Sequence, residues 1–166
     1  MNRNQTNYSA GSSFACREKM RRRVERAGSA TLSEIQFWLN VGTSIRASVL
    51  ARWGLSARRE VPWTELWPRI GLDAFQPIGV HAELRRQLWE TAAVASFTGW
   101  GRTSVSKWVR QDRYPADFPK PVLIFGPRIK LWLPIEVEAY KYPSAFGALY
   151  GKVRIAAESE GRPNAD

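Results

Sequence analysis

Apolar positions fall into two rhythms along this chain, one near every three or four residues and one at every second residue. From Thr31 onward, Leu32, Ile35, Trp38 and Leu39 recur at helical intervals. Thr31 and Glu34 stand three apart, the spacing at which each side chain can satisfy an amide of a helix start. Val41 and Gly42 are expected to end this helix. A second helix is predicted from Thr43 or Ser44 to Trp53, with Ile45, Val49, Leu50 and Trp53 apolar. Gly54 sits where a left-handed residue closes a helix, and Leu55 can supply the accompanying apolar contact.

After a polar loop at 56–60, Trp63, Leu66, Trp67 and Ile70 form an apolar set, with Pro62 placed to start a short helix and Pro68 to limit it. Residues 71–79 are rich in turn formers and read as a linker. Val80, Leu84 and Leu88 predict a further helix over 80–90. Thr91 is placed to cap the next helix, which ends at the turn Thr98-Gly99-Trp100-Gly101. A helix over 102–111 follows. Its Val105, Trp108 and Val109 share one side and are expected to face the core.

The period then changes. Prolines 115, 119 and 121 forbid helix and hold the chain extended, while Phe118 is expected to plug the core. Residues 122–125 and 129–133 read as two strands joined by Gly126-Pro127-Arg128. Trp132 shares parity with Lys130 and is expected to pack under the helices. Pro134 opens a last helix, with Glu136 and Glu138 at its favourable anionic end. Phe146, Leu149, Tyr150, Val153 and Ile155 offer a packed C-terminal segment. The pattern predicts a mostly α fold with a small β-hairpin wing: a winged helix-turn-helix preceded by a helical module. Four parts follow: a basic arm at 1–30, a helical module at 31–78, the winged unit at 79–145 and a C-terminal extension at 146–166. No internal repeat stands out, although 31–55 could pass for a degenerate helix-turn-helix.

Charge changes the picture. The chain of 166 residues carries 25 Lys and Arg against 15 Asp and Glu, a formal net charge of +10. Such an excess favours polyanions through phosphate neutralisation. Its placement is more telling than its size. On the 102–111 helix, Thr103, Lys107 and Arg110 centre on the side opposite the valines, flanked by Ser106 and Gln111. All five can donate hydrogen bonds and none is acidic, the chemistry required to meet phosphates and base edges in a major groove. Arg128 and Lys130 lie at or near the hairpin tip, with Lys120 at the entry to the first strand, as a wing needs. Arg21, Arg22 and Arg23 belong to a basic run, REKMRRRVER, that could lie along phosphates or be a solvated tail.

Other chemistries find little support. One cysteine, Cys16, and one histidine, His81, give neither a disulfide nor a Cys/His metal site, and no cofactor is expected. No clustered acidic pair suggests a two-metal nuclease, so an enzyme is not expected. No apolar run approaches the length that spans a bilayer, and the N-terminal stretch lacks the apolar core of a signal peptide; the expectation is a cytoplasmic, nucleoid-associated protein with no membrane partner.

The order of TG turn, RTSVSKWV helix, FPKPV, GPRIKLW and IEVEAY resembles AlpA-type regulators and phage or plasmid excisionases, small relatives of MerR winged-helix domains. The resemblance covers about Leu88 to Tyr142. It implies double-stranded DNA as partner, with recognition positions at Arg102, Thr103, Ser104, Ser106, Lys107 and Arg110 and a wing at Arg128 and Lys130. It implies either a transcriptional regulator of a mobile genetic element, working with RNA polymerase, or an excisionase that bends attachment-site DNA for an integrase. A protein-interaction module built on a degenerate motif is a further reading. The segment 113–117 is longer than in the shortest members. The residues before the motif exceed a minimal excisionase, which leaves room for a homodimerisation or partner-binding module and tilts the reading toward a regulator.

Overall fold

The computed structural model describes residues 16–23 and 28–156. The expectations for the extreme N-terminus, for 24–27 and for the polar tail after 156 lie outside the described residues. The architecture is mostly helical with two small antiparallel sheets. No helix among the described residues is long and apolar enough to cross a membrane.

The first half holds β1 (Ser29–Thr31), α1 (Leu32–Leu39), α2 (Thr43–Arg52), β2 (Glu60–Pro62) and α3 (Trp63–Leu66). The capping box is present: Thr31 Oγ1 accepts from the Glu34 amide, and Glu34 Oε2 accepts from the Thr31 amide at 2.7 Å. At the end of α2 the Leu55 amide donates to Leu50 O at 2.8 Å and the Gly54 amide to Ala51 O at 3.0 Å, with Gly54 at φ +71°. Those two bonds make the predicted Schellman closure, and Leu55 is buried. Helix α3 stops at Leu66, ahead of Pro68, as predicted. The chain then tightens into a 3-10 turn at Trp67–Ile70, because an early position in that turn has no need of the proline's missing amide. Ser29–Thr31 pairs with β2, so the arm predicted for 1–30 is in fact part of a sheet from residue 29.

The second half begins differently from its prediction. Residues 80–90 are not one helix. A 3-10 turn at Ile78–Val80 leads into α4 (His81–Leu84), and the chain then straightens into β3 (Trp89–Glu90). Val80, Leu84 and Leu88 are all fully buried, so the apolar stripe was real, but tertiary partners override its helical spacing. The Leu88 amide donates to Trp38 O at 2.8 Å, and Trp89 pairs with Trp132. Next come α5 (Thr91–Thr98), α6 (Arg102–Gln111), β4 (Leu123–Phe125), β5 (Ile129–Trp132), α7 (Pro134–Lys141) and α8 (Pro143–Tyr150). Glu90, not Thr91, is the N-cap of α5, and no side chain caps that helix start. The hairpin predicted with two strands carries a third, in the order β3-β5-β4.

Strand β5 separates two cores. Leu131 and Leu133 face a large core with Ile35, Trp38, Leu50, Trp63, Trp67 and Leu88, whereas Trp132 faces a smaller one with Val94, Val105, Val109, Phe118 and Val137. This is the period of two applied to a strand buried on both faces. Residues from both sides of position 78 share the larger core, so the boundary drawn there does not divide the packing. The 71–79 stretch is also pinned rather than free. Leu72 bridges Ile155, and buried Gln76 donates to Arg154 O and accepts from the Arg154 amide. The C-terminal segment thus begins with α8 at Pro143 and returns to the first half through Ile155; position 146 falls inside a helix.

Two stretches without a sequence repeat share an order of elements. β1, α1 and α2 are matched by β3, α5 and α6: a short strand, an eight-residue helix and a ten-residue helix. Each helix pair is joined by three residues. The first is left-handed (Asn40 at φ 54°, Gly99 at φ 84°), and the third is an extended glycine N-cap (Gly42, Gly101). In each unit the first strand pairs antiparallel with one that leads into a further helix, β2 into α3 and β5 into α7. What the second unit adds is β4 and the hairpin turn.

Candidate nucleic-acid interface

Helix α6 has the predicted bounds, and its phase is set by two valines. Val105 is fully buried and Val109 nearly so. A residue near every 100° from these leaves Arg102, Thr103, Lys107, Arg110 and Gln111 exposed, with Ser104 and Ser106 half-buried. Trp108 departs from its prediction. It is half-buried, edge-on to Phe118 at 5.1 Å and to exposed Trp100 at 5.1 Å, so it covers the flank of the core rather than filling it. Phe118 does plug the core, between Trp108, Tyr140 and Tyr114.

The face of α6 is positive and unopposed along its length. No acid occurs from Thr91 to Gln111. The first turn of α6 has neither an acidic residue nor a side-chain cap, so its amide dipoles add positive potential at Arg102 and Thr103. The nearest carboxylate in sequence, Asp112, takes the left-handed C-cap at φ 48° and sits 3.4 Å from Lys120. Glu136 and Glu138 are buried on α7 with their own partners. Tyr150 Oη donates to Glu136 Oε1 at 2.9 Å, and Arg86 makes two 2.7 Å contacts with the Glu138 carboxylate. That pairing raises the Arg86 pKa, whereas burial alone lowers that of Arg85, stacked near Trp63 and Trp67. Sequence reasoning gave these glutamates only a helix-dipole role.

The other expected contact residues divide. Arg128 is exposed in the 126–128 turn, where Gly126 takes φ +61°. Lys130 is half-buried, its ammonium folded back to donate to Pro127 O at 2.7 Å. Lys120 is drawn toward the end of α6 by Asp112 and lies over the Tyr114 ring at 5.5 Å. The hairpin and α6 share a core through Ile124 and Trp132, and Trp132 Nε1 donates to Pro119 O at 3.0 Å, fixing the proline segment that leads into the hairpin.

The basic run near the N-terminus is helical over 16–23 but belongs to the first half. Met20 packs on the larger core, and Arg23 Nε lies 2.7 Å from the buried Glu34 carboxylate. Arg21 and Arg22 both reach Glu18. The structure therefore brings Arg102, Thr103, Lys107, Arg110 and Gln111 together on one helix, whereas Arg21 to Arg23 rest against Glu18 and α1. Sequence reasoning missed Lys141, which donates to Phe97 O at the end of α5 and covers the Phe97 and Tyr142 rings; a lysine in the last turn of a helix was its only signal. His81 is occupied structurally, its Nε2 2.8 Å from Gln76 O and its ring tilted against Trp67.

Comparison with family models, with curated proteins and with solved structures returns no match for this chain.

Proposed function

We propose that this chain is a sequence-specific double-stranded DNA-binding protein. Residues Trp89–Lys141 act as a winged helix-turn-helix that lays α6 in the major groove with the β4–β5 turn beside it. The observation that carries the reading is the exposed face of α6: five donors, three of them long cations (Arg102, Lys107 and Arg110), and no acid. An ordinary solvated helix face mixes charge signs. This one has the composition that phosphates and base edges require. Lys107 and Arg110 serve as phosphate or guanine contacts, Thr103 and Gln111 as adaptable donors, and Arg128 as the wing's reach to an adjacent backbone. The resemblance of this segment to AlpA-type regulators, with a second folded unit ahead of it, supports transcriptional control of a mobile genetic element as the use of that binding.

A titration of the purified protein against random-sequence duplex DNA across a salt series tests the DNA reading. The logarithm of affinity should fall linearly with the logarithm of salt, with a slope of roughly −3 to −5, about 0.9 per phosphate neutralised. Binding that is flat across the series would leave the face without its proposed ligand.

A further inference from the structure

We infer that α2 is a second DNA-contacting helix, so that the chain grips duplex DNA with two helix pairs rather than one. This rests on the proposed function of α6. Its own evidence is the shared order of elements described above. Counting 59 positions along, Leu32 corresponds to Thr91, Gly42 to Gly101 and Thr43 to Arg102, so α2 occupies in its unit the place of α6 in the other. Burial agrees at two positions, Ile35 with Val94 and Leu50 with Val109. It departs at others, since fully buried Val105 falls on half-buried Arg46, and fully buried Trp38 and Leu39 fall on half-buried Phe97 and Thr98.

The positions that match the exposed face of α6 are themselves exposed in α2: Thr43, Ser44, Ser48, Ala51 and Arg52. Four of them offer hydroxyl donors or a methyl group, and Arg52 is the one long cation among them. Short hydroxyls meet phosphates or either base edge, and alanine or threonine methyls meet the thymine methyl, so this helix suits close approach to A·T-rich sequence. Charge is complementary around it. From Thr43 to Arg59 there are four arginines and no acid. Arg46 is spent internally on Gln36, Arg52 lies 4.7 Å over the Phe125 ring and Arg58 is 3.5 Å from the Glu65 carboxylate, while Arg59 is exposed beyond the helix. Both helix pairs also contact the β4–β5 hairpin, α2 through the larger core and α6 through the smaller, which holds them at a set spacing.

The test uses a duplex selected from a random-sequence pool by the wild-type protein, with hydroxyl-radical footprints and affinities for the wild type and three variants. Two separated protected segments are expected. Ser44→Glu with Ser48→Glu should erase one segment and weaken binding about tenfold; Lys107→Ala with Arg110→Ala should erase the other. Ser48→Lys should tighten binding and steepen the salt slope by about 0.9. This last arm decides the matter if the glutamate variant melts early. An unchanged footprint and affinity in both α2 variants, beside loss in the α6 variant, would overturn the inference and leave the α6 reading intact. No binding by the wild type would remove both.

Discussion

The two helix pairs share helix lengths and turn conformation but carry different surfaces. Between Leu32–Arg52 and Thr91–Gln111, position for position, one residue is identical, the glycine that starts the second helix. The turn geometry and two buried aliphatic positions, Ile35 with Val94 and Leu50 with Val109, are nonetheless matched. On the outward faces, α6 carries Arg102, Lys107 and Arg110 where α2 carries Thr43, Ser48 and Ala51. The scaffold therefore depends on a few burial and turn positions. The chemistry depends on residues that contribute almost nothing to stability and so are free to differ. The starts of the first helices differ too: Thr31 and Glu34 close a capping box on α1, while α5 begins at Glu90 with no side-chain cap.

The sharpest way to separate the units is to damage one core. Trp132 is fully buried in the smaller core and anchors Pro119 through its indole N–H. Trp132→Ala should cost ~3–5 kcal/mol, read as a large fall in the denaturant midpoint. A loss below about 1 kcal/mol would mean β5 does not wall off the second core. A slightly smaller effect is expected where the start of the second half is tied to α7. Arg86, between α4 and β3, holds Glu138 on α7. Arg86→Ala leaves a buried carboxylate without its cation and should cost about 3 kcal/mol by thermal or denaturant melting, whereas Glu83→Ala, its exposed-side partner, should change little. Smallest is the difference in helix starts. Thr31→Ala should lower stability by about 1 kcal/mol through loss of the cap, while Glu90→Ala, at the matching position, should be near neutral in the same melt. Equal effects would erase the asymmetry between α1 and α5.

Local signals were legible wherever the physics is local. The capping box at Thr31, the left-handed closure at Gly54, the bounds of α6 and the hairpin turn at Gly126 each depend on residues within a few positions. What sequence could not give depends on distant partners. Trp89 continues an apolar stripe at helical spacing, and only the pairing of Trp89 and Glu90 with Trp132 and Leu131 makes them a strand. Trp108 has the phase of a core residue but meets Phe118 and Trp100 at the edge of a small core with little room left. The likeness of the two units was hidden because the shared features are helix lengths and turn dihedral angles, carried by different residues: asparagine at one left-handed turn position and glycine at the other. Of the candidate interface, the composition of the α6 face was readable in full. The inward turn of Lys130 and the engagement of Arg23 by Glu34 were not, since both need a fold to bring the partners together.

The central claim is that the exposed face of α6 meets DNA. The most direct measurement is fluorescence anisotropy of a labelled duplex with wild-type protein and with the Lys107→Ala/Arg110→Ala variant, beside thermal melts of both. The account predicts a loss of affinity of at least about tenfold and a salt slope shallower by roughly 2, at about 0.9 per lost phosphate contact, with the melting temperature unchanged. Equal affinity for the two proteins, or a variant that binds weakly only because it has unfolded, would contradict it.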